Sequence, residues 1–459
     1  MANARVLDVS AAIDEAKVSS FTLRVLIVSA FIIFLDGFDI NNIGYVAPAM
    51  IRAWRLSPAA FGPIFSSSPI GILLGAPVLG YIGDRFGRKK AIFIACLFFS
   101  VFTWAGAYAT NVTELVWIRF FCGIGIGGVM PNVIALATEY SPRRLRATFV
   151  VAMFSGIGLG AGFPGPVGAW LIPKYGWPVL FHVGGVIGIL AAVLCLVALP
   201  ESVKYYMVKE EKRATVASIL ARIRPDLGIT ASDELVIRQE KRYSGFSPRQ
   251  LFQEGYAGVT ICLWILFAGN LMGYFFLFNW TPTLLATANI PMGKALLYTS
   301  VSQLGGLIGG WTIGRFIDKY GYAPVACLCV LAVPVVGCIG YVAVHASGAL
   351  IPVMFFAGFS VLGFNYATNG MSGIVYPTAF RSNGSGWCFA VGRAGSVAGP
   401  LIGGALIAMR VPVQKLYLFA ALPFVICVPV AFIFAGIYRR RYITAQTNAP
   451  AQATGAGAR

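Results

Sequence analysis

The sequence predicts an all-α membrane protein, with twelve transmembrane helices in two pseudo-symmetric halves of six. First, hydrophobic residues make up 58% of the 459 residues and charged residues only 11%, with a mean hydropathy of +0.77. That is more apolar surface than a soluble domain of this size needs. Second, the apolar residues fall in stretches of about twenty, long enough to cross ~30 Å of hydrocarbon. Third, the second half of the chain repeats the first at a fixed offset.

The twelve apolar stretches define the predicted order of elements along the chain. They are 22–47, 59–82, 91–109, 113–138, 146–171, 178–199, 257–281, 294–316, 323–344, 349–375, 383–408 and 416–438. The predicted organisation is an N-terminal segment (1–21), a first bundle (22–199), a linker (200–256), a second bundle (257–438) and a tail (439–459). The linker holds apolar residues at helical spacing, which predicts short amphipathic helices; they are Val216, Ile219, Leu220 and Ile223.

The basic residues predict the orientation of these helices. Most of the 35 Lys and Arg residues fall in the two terminal segments, the linker and the turns on the same side of the predicted bundles. By the positive-inside rule, both termini of this multi-pass membrane protein are therefore cytoplasmic. This distribution also accounts for the net charge of +18, so a nucleic-acid partner is not needed to explain it. The nine cysteines are scattered among apolar residues, which predicts neither a metal site nor a cofactor.

An internal repeat relates the two halves at an offset of 234 residues. The offset places Asp84 on Asp318, Gly80 on Gly314 and Asp36 on Asn270. In membrane transporters, parallel repeats of this kind are related by an axis along the membrane normal, and the substrate site lies near the midplane of the bilayer. At the position of Asp36 the first half thus carries a group that can bind a proton, whereas the second half carries the amide of Asn270.

Two acids lie within the first apolar stretch. Asp36 and Asp39 are three residues apart, so a helix places them on one face. A charged side chain at mid-membrane costs roughly 2.5–3.5 kcal/mol on insertion scales, so this face needs water or a cationic partner. Arg119, within the fourth stretch, needs an acid in turn. Its partner is Asp36, Asp39 or Glu139 in a purely structural ion pair, or Arg119 also takes part in proton coupling or in contact with a substrate carboxylate. Glu139 has a simpler alternative, a salt bridge with the nearby arginines, which are Arg143, Arg144 and Arg146.

The turn between the second and third stretches, Gly80–Lys90, combines glycine, acid and base. Its glycines allow a tight turn, and its charges can form pairs that break and reform during transport. The predicted gating residues are Gly80, Asp84, Arg85, Gly87, Arg88 and the repeat-related Asp318. The alternative is a turn that only anchors the topology.

A second intramembrane cation, Arg393, predicts an anionic ligand, because a guanidinium binds a carboxylate bidentately. The alternative is a structural ion pair. Rings and amides in the neighbouring stretches suit a planar ligand, although each ring alone fits packing equally well. The further predicted substrate-binding residues are Phe38, Asn270, Tyr274, Trp280, Asn365, Tyr366, Asn369 and Trp387.

These motifs together resemble the aromatic acid:proton symporters of the major facilitator superfamily. The resemblance runs over nearly all twelve stretches. It rests on Asp36-Gly37-Phe38-Asp39, the Gly80–Lys90 turn, Met130-Pro131-Asn132, Pro200-Glu201-Ser202 and Gly392-Arg393. It implies the major facilitator fold and transport of compounds such as hydroxybenzoates, protocatechuate, benzoate and chlorophenoxyacetates. It also implies that Asp36, Asp39, Asp84, Arg119, Glu139 and Arg393 matter for transport.

The predicted function is import of an aromatic carboxylate with protons by alternating access, carried out by a monomer in the lipid bilayer. Proton coupling is assigned to Asp36, Asp39, Arg119 and Glu139. The alternative is an exporter or exchanger of organic anions with the same fold, which the pattern Gly395-x-x-x-Gly399-Pro-x-x-Gly-Gly favours weakly. A sensor or an enzyme is a third hypothesis, but the chain has no nucleotide-binding loop and no His-Glu-x-x-His motif.

Overall fold

The computed structural model describes residues 6–208, 213–229, 233–236, 248–252, 255–376 and 381–440. Helices dominate these residues and follow the predicted order. The first part contains α1 (Val9–Asp14), α2 (Ser20–Trp54), α3 (Phe61–Phe86), α4 (Arg88–Gly106), α5 (Val112–Glu139), α6 (Arg146–Gly162), α7 (Pro164–Tyr175) and α8 (Pro178–Ala198). Two linker helices follow, α9 (Val203–Val208) and α10 (Arg213–Ile223). The last part contains α11 (Ala257–Thr287), α12 (Met292–Tyr320), α13 (Ala323–His345), α14 (Leu350–Val375), α15 (Arg381–Ala408) and α16 (Val413–Tyr438).

Each of the twelve predicted spans coincides with helical structure, with two differences. The fifth span, 146–171, is divided between α6 and α7 at Phe163. Pro164 lacks a backbone N–H and restricts the residue before it, so it interrupts the helix there. Among the described helices, eleven stretches are long and apolar enough to span a membrane, and α12 is outside this set. It carries Lys294, Arg315 and Asp318 near its ends and buries a polar group in its interior, Thr299, Ser300, Ser302 and Gln303.

The described residues form two compact units. Unit 1 takes its residues from 1–242, 278–304 and 400–411, and unit 2 takes its residues from 243–277, 305–399 and 412–459. Unit 1 therefore includes the end of α11, the start of α12 and the end of α15 as well as the first six spans. The predicted domain boundaries, which follow the sequence repeat, stay a prediction. The predicted tail beyond residue 440 and parts of the linker lie outside the described residues.

Glycines allow close helix packing in corresponding places of the two units. A Cβ atom added to Gly71 or Gly75 of α3 would collide with backbone carbonyls of α5, those of Phe120 and Ile124. Residues 305 and 309 of α12, which are the same two positions at the offset of 234, are also glycine. A Cβ atom there would collide with the carbonyls of Phe355 and Phe359 in α14. Small residues let transmembrane backbones approach closely, so the repeat preserves a packing surface as well as a motif.

A matched pair of substitutions on α12 tests this packing. We expect Gly309→Ala to lower the free energy of unfolding by about 1–3 kcal/mol, the usual cost of overpacking a close contact. Gly314, on the same helix, has nothing within 4 Å of an added Cβ atom. We therefore expect Gly314→Ala to be neutral or to stabilise the helix by about 0.5–1 kcal/mol. Thermal unfolding of the detergent-solubilised variants measures both effects, and equal melting temperatures would contradict the packing argument.

The N-terminal segment and the linker fold together within unit 1, which the sequence did not predict. A short strand β1 (Val6–Asp8) pairs in parallel with β2 (Glu234–Val236). Asp8 caps α1 by accepting hydrogen bonds from the backbone of Ser10 and Ala11, and Arg146 Nη2 lies 2.6 Å from Asp14 Oδ1. The predicted amphipathic helix is confirmed as α10, whose four spaced apolar residues are all buried. They share one hydrophobic core with β1, α1 and the first bundle.

Candidate functional site

A buried ion pair between Asp39 and Arg119 lies at the centre of unit 1. Arg119 Nη1 lies 3.0 Å from Asp39 Oδ2, and both side chains are at most 2% exposed. Arg119 Nη2 also donates a 3.0 Å hydrogen bond to the backbone carbonyl of Asp39. Of the three acids considered for Arg119, the structure therefore selects Asp39. The long helix α2 brings the acid to the middle of the bundle, and α5 supplies the guanidinium.

Two further side chains complete the environment of this carboxylate. Thr103 Oγ1 of α4 donates a hydrogen bond to Asp39 Oδ1, and Cys122 Sγ of α5 donates to Oδ2 over 3.0 Å. The Asp39 carboxylate is therefore surrounded by one cation and two neutral hydrogen-bond donors. Sequence reasoning missed Thr103 and Cys122, because neither carries a charge that would be unusual in an apolar stretch.

Asp36 lies one helical turn before Asp39 on α2. Its side chain is buried, with the residue 2% exposed. It lies within electrostatic range of Cys96 on α4. The two acids thus share one face of α2, as predicted, but they have different neighbours. Asp39 is bound to the guanidinium of Arg119, and Asp36 faces a different part of α4.

A chain of three asparagine side chains forms the polar centre of unit 2. Asn270 Nδ2 of α11 donates a 3.0 Å hydrogen bond to the carbonyl of Val361. Asn365 Nδ2 donates to Asn270 Oδ1 over 2.7 Å, and Asn369 Nδ2 donates to Asn365 Oδ1 over 3.3 Å. All three were predicted to bind substrate, and the structure brings them together between α11 and α14.

Other predicted substrate residues in unit 2 lie on the same helices or on α15. Tyr274 is buried beside Phe275 on α11, with ring centroids 5.2 Å apart. The ring of Tyr366 packs against Gly310 of α12. Arg393 is half-buried on α15, and the ring centroid of Trp387 lies 6.2 Å from that of Trp264.

Two predicted substrate residues belong to unit 1 instead, and both are packed in its interior. Phe38 is 1% exposed, and its ring centroid lies 6.3 Å from that of Phe163. Trp280 is fully buried, donates a 3.2 Å hydrogen bond to the carbonyl of Pro400 and meets Phe65 edge to face. This geometry agrees with the packing alternative for these two rings.

A second charged cluster of unit 1 joins the α3–α4 turn, the end of α5 and the start of the linker. Arg88 Nη2 lies 3.0 Å from Asp84 Oδ1, and Arg88 Nε lies 3.4 Å from Glu139 Oε1. Ser202 Oγ donates a 2.6 Å hydrogen bond to the other oxygen of Glu139. Glu139 thus pairs with Arg88 and not with any of the three expected arginines. It is 20 residues beyond Arg119 on α5, roughly 30 Å along the helix axis, so it lies far from the pair that it was predicted to assist.

Glu201 organises the same cluster, and sequence reasoning gave it no role. Its Oε1 accepts hydrogen bonds from the backbone N–H groups of Lys89, over 2.9 Å, and Ser202, over 2.8 Å. Tyr140 donates its hydroxyl to the Glu201 carbonyl over 2.6 Å. The Glu201 carboxylate also lies against Gly87, where a Cβ atom would collide with it. The sequence signal for Glu201 is the triplet Pro200-Glu201-Ser202, which also carries the family resemblance.

The remaining predicted gating residues take no part in this cluster. Arg85 donates a 2.6 Å hydrogen bond to Tyr81 on the exposed side of α3. Gly80 has nothing within 4 Å of an added Cβ atom. Asp318 is exposed on α12 of unit 2. The structure therefore brings together Asp84, Gly87 and Arg88 out of the predicted set and adds Glu139.

Comparison with known proteins decides the family. A model of the Major Facilitator Superfamily matches residues 29–372. The chain belongs to this superfamily. It is thus a multi-pass membrane transporter and not an enzyme, and the predicted twelve-helix fold is confirmed.

Several characterised members of this superfamily are similar over most of their length. The chain is 32% identical to the gallate transporter of Pseudomonas putida over 425 residues, which cover 91% of this chain and 92% of that protein. It is also 32% identical to the 4-hydroxybenzoate transporter of Pseudomonas aeruginosa over 404 residues, covering 88% of this chain and 90% of that protein.

A solved structure confirms the fold independently. The inward open conformation of the xylose transporter from E. coli matches with a TM-score of 0.69 at 16% identity, covering 90% of this chain and 95% of that chain.

Proposed function

We propose that this transporter imports an aromatic carboxylate together with protons across a bacterial inner membrane, with both termini in the cytoplasm. The observation that carries the proposal is the pair of buried acids on α2, one of them bound to Arg119, in a chain 32% identical to transporters named for gallate and 4-hydroxybenzoate. The relatives support the substrate class. The buried acids support the proton, since an apolar transmembrane helix carries ionisable groups mainly where they have a function.

Within this proposal, Asp36 carries the proton and Asp39 holds Arg119 in place. Protonating Asp39 would leave a buried guanidinium without its counterion, which is strongly unfavourable. Asp36 is equally buried on the same face of α2, and its protonation leaves the Asp39–Arg119 pair intact. Proton binding and release at Asp36 then favour different conformations, provided that its surroundings differ between them.

The substrate anion binds in unit 2. Arg393 supplies the cation for the carboxylate, and its guanidinium can hold both oxygens at once. The three asparagines, with Tyr274, Tyr366 and Trp387, supply flat and polar groups for an aromatic ring. Phe38 and Trp280 are packing residues in this account.

The charged cluster around Arg88 acts as a gate on the cytoplasmic side. It joins Asp84, Arg88 and Glu139 through ion pairs of 3.0 and 3.4 Å, and opening would separate α3, α5 and the linker. We place Glu139 in this gate and not in the proton pathway, because it lies one membrane leaflet or more from Arg119. Arg85 is bound to Tyr81 and Asp318 is exposed, so neither residue is part of the gate in this conformation.

Uptake into proteoliposomes tests the proposal. We expect labelled 4-hydroxybenzoate to accumulate when an inward proton gradient is imposed and only to equilibrate without it. Asp36→Asn should abolish gradient-driven accumulation but keep exchange of internal for external substrate. Asp226→Asn is the matched control: it removes an exposed linker carboxylate whose pKa is lowered by hydrogen bonds from Arg224, and uptake should be unchanged.

Two outcomes would overturn parts of this account. Full gradient-driven accumulation in Asp36→Asn would exclude Asp36 as the proton carrier. If the unmodified protein exchanges substrate but does not accumulate it at any proton gradient, it is an exchanger and not a symporter.

A further inference from the structure

The hydrogen bonds among the three asparagines of unit 2 run in one direction, and the backbone sets that direction. A carbonyl oxygen can only accept, so the contact with Val361 identifies Nδ2 of Asn270 as the donor. Asn270 Oδ1 must then accept from Asn365 Nδ2, and Asn365 Oδ1 must accept from Asn369 Nδ2. The chain of amides therefore ends on the Oδ1 atom of Asn369, a hydrogen-bond acceptor.

Exposure changes along the same direction. Asn270 is fully buried, whereas Asn365 and Asn369 are half-buried on α14. Within the part of the chain that the structure describes, the hydrogen bonds of the Asn369 side chain use only Nδ2. The Asn369 side chain is thus partly accessible, and a row of amides that starts at a buried carbonyl holds its Oδ1 in place. Hydrogen bonds in a row polarise one another, which strengthens the terminal acceptor.

We propose that Asn369 determines specificity by accepting a hydrogen bond from a hydroxyl group on the aromatic ring of the substrate. This assignment rests on the proposed function, in which unit 2 binds an aromatic carboxylate. A ring hydroxyl donates to Oδ1, whereas benzoate offers a carbon–hydrogen bond there and displaces the water that Oδ1 would otherwise bind. Asn270 is fully buried, and the Oδ1 atoms of Asn270 and Asn365 each already accept from the next amide, whereas, among the described residues, Asn369 Oδ1 keeps both of its lone pairs for a ligand.

The test compares substrates that differ in one group. Competition against labelled 4-hydroxybenzoate uptake gives the apparent affinities of 4-hydroxybenzoate, benzoate and 4-methoxybenzoate in proteoliposomes. We expect the unmodified protein to prefer 4-hydroxybenzoate over benzoate by about tenfold, the effect of leaving one such acceptor unsatisfied. The methoxy compound has the oxygen but no proton to donate, so it should compete no better than benzoate.

Substitution then locates the effect. Asn369→Ala should lower the apparent affinity for 4-hydroxybenzoate by about tenfold and leave the apparent affinity for benzoate nearly unchanged, so that the preference disappears. Ser372→Ala is the matched control: this side chain lies one turn further along α14 and donates to the Asn369 carbonyl, but it is not part of the amide chain. Its variant should keep the preference.

The outcomes separate this assignment from the proposed function. If the unmodified protein transports 4-hydroxybenzoate and benzoate without preferring either, the assignment is wrong and the proposed function stands. The same holds if Asn369→Ala keeps the preference for 4-hydroxybenzoate. If 4-methoxybenzoate competes as well as 4-hydroxybenzoate, hydroxyl donation is wrong even if Asn369→Ala fails to fold. If the unmodified protein neither transports nor binds any of the three compounds, the proposed function fails and the assignment fails with it.

Discussion

An Arg119→Met variant is expected to lose transport and to unfold far more easily than the unmodified protein. The substitution leaves the Asp39 carboxylate buried without its cation, and removing one partner of a buried pair costs about 3–5 kcal/mol. Thr103 and Cys122 still donate to that carboxylate, but neither supplies a charge. Thermal unfolding in detergent and uptake in proteoliposomes measure the two losses.

A double variant distinguishes the charge from the packing. Asp39→Leu combined with Arg119→Met removes both buried charges and replaces them with apolar side chains, a change that is often neutral or stabilising. We expect its melting temperature to recover most of the loss while transport stays absent. If the free energy of unfolding of Arg119→Met lies within about 1 kcal/mol of that of the unmodified protein, the ion pair does not have the structural role assigned to it here.

The second large effect is expected for Gly87→Ala in the α3–α4 turn. Gly87 has a φ of +109°, a conformation that costs an L-residue about 1–2 kcal/mol or more. The added methyl group would also collide with the Glu201 carboxylate. That carboxylate accepts from the backbone of Lys89 and Ser202, so the strain reaches the whole charged cluster. We expect the initial uptake rate to fall by about tenfold or more, because displacing the charged groups of a functional site by about 1 Å can cost that much in rate.

Gly80→Ala is the matched control, because it makes the same change in the same motif. Gly80 is helical and has open space around an added Cβ atom, so its variant should transport at the normal rate and melt no lower. Initial uptake rates of both variants, normalised to reconstituted protein, provide the comparison. Equal rates for the two variants would mean that the turn does not need its left-handed glycine.

The fold was largely predictable from the sequence, because the helices have to match the thickness of the hydrocarbon layer. Spacing could not show which of two acids binds Arg119, since Asp36 and Asp39 lie on one helix face and differ only in their neighbours. Spacing also treated Gly80 and Gly87 alike, although one has open space and the other a positive φ. The break at Phe163 follows from Pro164, but several other prolines lie inside continuous helices, so proline alone was not decisive.

The amide chain shows another limit of prediction from the sequence. Asn365 and Asn369 are four residues apart, so their proximity on one helix was predictable. Their link to Asn270 depends on how α11 packs against α14, which no local pattern contains. The direction of the hydrogen bonds depends on a single backbone carbonyl, that of Val361.

The pairing of β1 with β2 has a consequence for how the protein is made. Val6 and its partner Glu234 are separated by the whole of the first six spans. The ribosome must therefore synthesise and insert those spans before the first residues of the chain find their place. Leu7, Val9 and Ile13, all buried in the finished protein, therefore complete their packing against the linker only after the first six spans have been made. An affinity tag fused to the start of the chain would act on this late step of assembly.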